Sequence, residues 1–131
     1  MAWHALLLAS RGAKVVVNDL GGSFTGDGKS SSAADKVVAE IKEKGGEAVA
    51  NYDSVEDGDK IIKTAVDAFG KIDIVINNAG ITRDGLFVRM SDGDWDAVIE
   101  VNLTAVARLT REIVYPMMRR RFGRIINVSS V

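Results

Sequence analysis

Short runs rich in Val and Ile alternate along this chain with amphipathic stretches of helical period, and few folds accept that alternation. The runs are "AKVVVND" (13–19), "EAVANYD" (47–53), "KIDIVINNAG" (71–80) and "RIINVSS" (124–130). The first, third and fourth hold continuous apolar residues, the pattern of strands covered on both faces of a parallel sheet. Between them apolar residues recur at helical spacing. Over 30–45, Ala34, Val37, Val38 and Ile41 share a face, with Ser30 to Ser32 as cap candidates and Gly45 as the stop. Over 55–69, between Ser54 and Gly70, the face is Ile61, Ile62, Ala65, Val66 and Phe69. From Asp92 to Arg120 it is Val98, Val101, Ala105, Leu109 and Ile113, with Ser91 as cap. Pro116 has no N–H to give and is expected to end or bend that helix. Arg119 to Arg121 are expected as solvated charge in its frayed last turn. "AWHALLLASRG" predicts a helix from residue 2 to Gly12, ahead of the first strand. The class is therefore α/β, an open parallel sheet of about four strands, in a single domain over 1–131.

Composition removes several functions. The net charge of −1 offers no strong field for nucleic acid or an anionic membrane. Without cysteine there is neither a disulfide framework nor thiolate chemistry, and His4, the single histidine, makes no metal cluster by itself. No apolar run approaches the roughly 20 residues of a membrane span, and nothing at the N-terminus reads as a signal peptide. The expectation is a soluble intracellular chain without a metal, nucleic-acid or membrane partner.

In an open α/β sheet, ligands meet the carboxyl ends of the strands. Those ends carry Asn18 and Asp19, Asp53 and Ser54, Asn77 to Gly80, and Ser129 with Ser130. A carboxylate at Asp19 can accept from both ribose hydroxyls of an adenine dinucleotide and would repel a 2′-phosphate, favouring NAD over NADP. It reads equally as the start of a turn. Asp53 can accept from an adenine amino group, or begin a turn and help cap the next helix. "NNAG", residues Asn77, Asn78, Ala79 and Gly80, sets two amides beside two small residues where backbone can approach a sugar. The glycine-rich turn that cradles a pyrophosphate is missing, because the helix that should carry it starts at Ala2. "LGGSFTGDGKSS" (20–31) has four glycines but follows the Asp19 strand, and reads as a long surface connection.

With "NNAG", the segments "VVVNDLGG", "NYDSV", "VNLTAVARLT" and "GRIINVSS" make the chain resemble the short-chain dehydrogenase/reductase family over essentially all its length. Residues 4–80 are most similar to the (3R)-hydroxyacyl-CoA dehydrogenase part of peroxisomal multifunctional enzymes. Residues 81–131 are more similar to bacterial 3-oxoacyl-[acyl-carrier-protein] reductases. A junction near Gly80 and Ile81 would fit a recombined or engineered sequence. The resemblance implies an NAD or NADP cofactor, with Asp19 on the adenosine ribose, Asp53 and Ser54 by the adenine, and Asn77, Ala79 and Gly80 along the cofactor. It implies Asn102 as the catalytic asparagine that holds a water in the proton relay. Ser130, rather than its neighbour Ser129, is implied as the serine that hydrogen-bonds the substrate carbonyl.

The departures carry weight too. The family's first strand with its glycine turn is absent, and so is its Tyr-x-x-x-Lys, since neither Tyr52 nor Tyr115 has a lysine four residues on. The resemblance therefore implies a Rossmann-like chain truncated at both ends. Its function would be that of an oxidoreductase of 3-oxoacyl or 3-hydroxyacyl thioesters, incomplete as this chain. The alternative is a non-enzymatic fragment that self-associates and binds a nucleotide weakly. The family sheet order 3-2-1-4-5, with strand 1 removed, predicts either closure as 2-1-3-4, in flavodoxin-like order, or an unfilled slot with two exposed strand edges that invite pairing with another chain. A homo-oligomer is implied by the 92–120 helix, and a cytoplasmic or peroxisomal location by the likenesses.

Overall fold

The computed structural model describes residues 2–20 and 33–130. Along it run α1 (Ala2–Ser10), β1 (Lys14–Asn18), α2 (Ala33–Glu43), β2 (Glu47–Asn51) and α3 (Gly58–Phe69). They are followed by β3 (Ile74–Asn77), α4 (Asp92–Ile99), a π-helical turn (Glu100–Thr104), α5 (Ala105–Arg120) and β4 (Arg124–Asn127). The α/β alternation is as read from the sequence, and the strands are parallel. The connection 21–31 and the cap candidates Ser30 to Ser32 lie outside the described residues. Two compact units are present, Met1–Ser54 with Lys63–Lys71, and Val55–Ile62 with Ile72–Val131.

In the first unit β1 pairs with β2 in the register Lys14↔Glu47 to Asn18↔Asn51. Ala5 and Ala9 of α1, Ala34, Val38 and Ile41 of α2, Val17 and Ala48 form its core. Four of these are alanines, which lets helix and strand backbones approach closely, and Ile41 supplies the bulk at 2% exposure. Gly46 has to be bare, because a Cβ there would lie 2.8 Å from Ile41 Cγ2. Helices α1 and α2 both end in a Schellman motif with glycine in the left-handed region, Gly12 at φ 93° and Gly45 at φ 87°. The closing bonds are Ala13 N–H to Leu8 O, 3.0 Å, and Gly46 N–H to Ile41 O, 2.9 Å.

In the second unit β3 pairs with β4 from Ile74↔Arg124 to Asn77↔Asn127. Ser91 caps α4 as expected, its Oγ accepting from Asp94 N–H at 3.1 Å. Ala105, Ile113 and Met117 form the buried side of α5, with Val98, Val101 and Leu109 half-buried. Pro116 does not end the helix, and α5 continues to Arg120. Pro116 and Glu112, whose carbonyl loses the N–H of Pro116, are both exposed, so solvent can take the broken bond. Arg119 to Arg121 are exposed, as expected of solvated charge. Arg120 Nη2 donates to Ile72 O at 2.6 Å, and Arg119 lies over the Tyr115 ring at 5.9 Å.

Among the described residues β1 pairs with β2 and β3 with β4, each as a two-stranded ladder, and the order 2-1-3-4 is not confirmed. Two-faced cover fails at β4. Ile125 lines a groove with Val114 and Met117 of α5, while Ile126 and Val128, on the opposite face, are 48% and 46% exposed.

Helix α5 stops in a third Schellman motif, with Phe122 N–H to Met117 O at 3.2 Å and Arg121 N–H to Met118 O at 3.1 Å. Here the left-handed position is Arg121, at φ 56°. A non-glycine residue costs roughly 1 kcal/mol in that region. Arg121→Gly is therefore expected to stabilise the second unit by about that amount, read as a higher denaturation midpoint with an unchanged slope.

Candidate functional site

The carboxyl end of the β1·β2 ladder is closed by a side-chain network. Asn51 is 4% exposed, the one buried polar side chain among the described residues. Its Oδ1 accepts from Asn18 Nδ2 at 2.8 Å and from Asp53 N–H at 3.0 Å. Its Nδ2 donates to Asp53 Oδ2 and to Thr64 Oγ1 of α3, both at 2.9 Å. Both lone pairs and both protons of the amide are thereby used, which is what its burial requires. Asn18 Nδ2 also donates to Asp53 O at 2.8 Å, and Asp19 N–H carries the ladder one step further by donating to Asn51 O at 2.9 Å. Asp19 and Asp53, both half-buried, thus leave one strand end as neighbours. Ser54 follows, half-buried, before the 3-10 turn Val55–Asp57. Tyr52 Oη donates to the Asp35 carboxylate of α2.

The other ladder also ends in an asparagine pair, Asn77 Nδ2 donating to Asn127 Oδ1 at 2.9 Å. After β3 come Asn78, half-buried, and the exposed Ala79 and Gly80. Ile81 then meets Asn102 reciprocally: Ile81 N–H donates to Asn102 Oδ1, and Asn102 Nδ2 donates to Ile81 O, both at 2.9 Å. Asn102 lies in the π-helical turn, where Ala105 N–H reaches back to Glu100 O, so the helix widens at this residue. A Cβ at Gly80 would lie 3.3 Å from Asn102 Oδ1, so this glycine makes room for the asparagine amide. Ser130 is exposed beyond β4 in the same unit.

Sequence reasoning singled out Asp53, Asn77 and Asn102 but missed their partners Asn51, Thr64, Asn127 and Ile81. The available signal was the repeated asparagine at strand ends, which becomes a pair only when the register is known. In chemical terms, one strand end offers two carboxylate acceptors, and the other offers amides, an open backbone and a hydroxyl. Among the described residues there is no metal-holding group of three His, Cys, Asp or Glu, and no helix is long and apolar enough to cross a membrane.

The family model "short chain dehydrogenase" matches residues 4–131. The chain belongs to the short chain dehydrogenase family. It is 62% identical over 127 residues, 97% of its length, to peroxisomal multifunctional enzyme A of Dictyostelium discoideum, of which it covers 29%. It is 48% identical over 130 residues to a 3-oxoacyl-[acyl-carrier-protein] reductase of Synechocystis, covering 97% of this chain and 49% of that protein. Among solved structures, a metagenomic short-chain oxidoreductase in complex with NADP superposes with a TM-score of 0.83 at 32% identity, over 99% of this chain and 56% of that one. The chain thus spans about a third to a half of the curated relatives named here.

Proposed function

We propose that this chain carries the nicotinamide-cofactor groups, and the carbonyl-orienting serine, of an oxidoreductase acting on 3-oxoacyl or 3-hydroxyacyl thioesters. The supporting observation is the first strand end, where Asp19 and Asp53 are both tied to Asn51. That donor set suits an adenosine: Asp19 accepts from the ribose hydroxyls and Asp53, with Ser54 beside it, from the adenine amino group. The charge of Asp19 opposes a 2′-phosphate, so NAD is the preferred form. Asn77, Asn78, Ala79 and Gly80 run along the cofactor in the second unit. When bound, the cofactor supplies or accepts the hydride at C3 of the acyl chain.

Ser130 donates a hydrogen bond to the substrate carbonyl and stabilises the negative charge growing on its oxygen. Asn102 spends one lone pair and one N–H on Ile81, and its remaining pair and N–H can hold the relay water. The acid/base that would exchange a proton with that oxygen is assigned to no residue of this chain, which contains no Tyr-x-x-x-Lys. Binding without appreciable turnover is therefore expected of the 131 residues alone. Self-association through α5, where Tyr115 and Met118 are 62% and 66% exposed, belongs to the same reading, as does a place in peroxisomal or cytoplasmic fatty-acid metabolism.

The test is titration with NADH and NADPH followed by tryptophan fluorescence, then an assay with a 3-oxoacyl thioester. NADH is expected to bind more tightly, and Asp19→Ala to weaken it by roughly 10- to 100-fold, the equivalent of hydrogen bonds to a charged group. Absence of binding at millimolar NADH leaves the non-enzymatic reading. Turnover that disappears in Ser130→Ala would show the proton source to be wrongly left out.

A further inference from the structure

We infer that Asn51 is a positioning residue for the adenine-recognising carboxylate, setting Asp53 in a single orientation before any ligand arrives. The inference rests on the proposed role of Asp53 and goes beyond it, because Asn51 itself is walled off from ligand at 4% exposure. Three of the four polar groups of Asp53 are fixed by two asparagines. Its N–H donates to Asn51 Oδ1 at 3.0 Å, an Asx-turn across the strand exit. Its carbonyl accepts from Asn18 Nδ2 at 2.8 Å, and its Oδ2 accepts from Asn51 Nδ2 at 2.9 Å. Among the described residues nothing donates to Oδ1, which is left as the acceptor for an incoming N–H.

Asn51 is in turn held rigid. Thr64 of α3 and Asn18 of β1 take its other proton and lone pair at 2.9 and 2.8 Å. An aspartate on a strand exit ordinarily samples several χ1 rotamers, and ordering one on binding weakens affinity. A buried amide with every valence used removes that cost in advance. It also fixes which carboxylate oxygen is presented, so it acts on the selection of the base and not only on the stability of the turn. Leu, Val or Ala at position 51 could fill the space but could not orient Asp53.

The probe is the reduced hypoxanthine dinucleotide, which differs from NADH in lacking the 6-amino donor. The native chain is expected to prefer NADH by about tenfold, the worth of one hydrogen bond to a charged acceptor. Asn51→Ala should bring the preference to within about twofold while leaving affinity for the hypoxanthine form unchanged. A merely structural role for Asn51 would weaken both ligands alike, and that result overturns the inference. Asp53→Asn separates the two levels. If it keeps the NADH preference, the adenine reading fails. If it abolishes the preference while folded Asn51→Ala retains it, the positioning role fails and the adenine reading stands.

Should Asn51→Ala not fold, Thr64→Val removes one anchor of Asn51 without touching Asp53, and the same preference must fall. A ligand-free readout comes from the three-bond couplings about χ1 of Asp53. One rotamer is expected in the native chain and averaged couplings in the variant. Averaging already in the native chain overturns the proposal whatever the ligand does.

Discussion

Ile41→Ala should cost about 3 kcal/mol, within the roughly 2–5 kcal/mol seen when a buried Ile, Leu or Met is cut to Ala. Ile41 is the bulky member of an otherwise small-residue core, surrounded by Ala9, Ala34, Val38 and Ala48. Alanines cannot reach into the space it leaves, so the cavity stays open and adds its own cost to the lost burial. Measured by native-state hydrogen exchange, amide protection in β1, α2 and β2 should fall by roughly two orders of magnitude. A change below tenfold would mean that this alanine-lined core does not carry the stability of its unit.

Gly123→Ala is the matching experiment in the other unit, with an expected cost of about 2 kcal/mol from overpacking. A methyl at 123 would lie 2.5 Å from Met117 Sδ, 2.6 Å from Cγ and 2.9 Å from Cβ. The sulfur can swing away, but Cβ is fixed to the helix, so α5 and β4 have to part. Met117 is 6% exposed and anchors the last turn of α5 through its carbonyl. Loss of protection is expected in β3, β4 and the end of α5. The double variant Gly123→Ala with Met117→Ala should recover part of the loss if the clash is its cause, and a purely additive pair would refute that cause.

Secondary structure was legible because its signals are local. The run Val15–Val17 and the helical face Ala34, Val38 and Ile41 announce themselves within a few residues. Gly12 and Gly45 end their helices for a reason a sequence can state, the freedom to take positive φ. Pro116 does not stop α5, because the rule concerns the lost bond. Whether that loss ends a helix depends on which side of it the proline faces, and the fold puts it outside. The third helix stop was hidden for the complementary reason, since Arg121 takes a conformation that its type does not advertise.

The candidate site divides along the same line. Residue types at the strand ends, Asp19, Asp53, the Asn77 to Gly80 stretch and Ser130, could be picked out because parallel sheets place ligands there, and the motifs pointed to the family whose model matches residues 4–131. What each residue touches could not be read. Asn18 meets Asn51 across 33 positions and Asn77 meets Asn127 across 50, and only the register of each ladder makes them partners. That Gly80 faces the Asn102 amide could not be read either. The choice of strand partners within each ladder likewise required the fold. Apolar periodicity says which face of a strand is buried, whereas hydrogen bonds between distant side chains depend on alignments to within an ångström, and those exist only once the chain has packed.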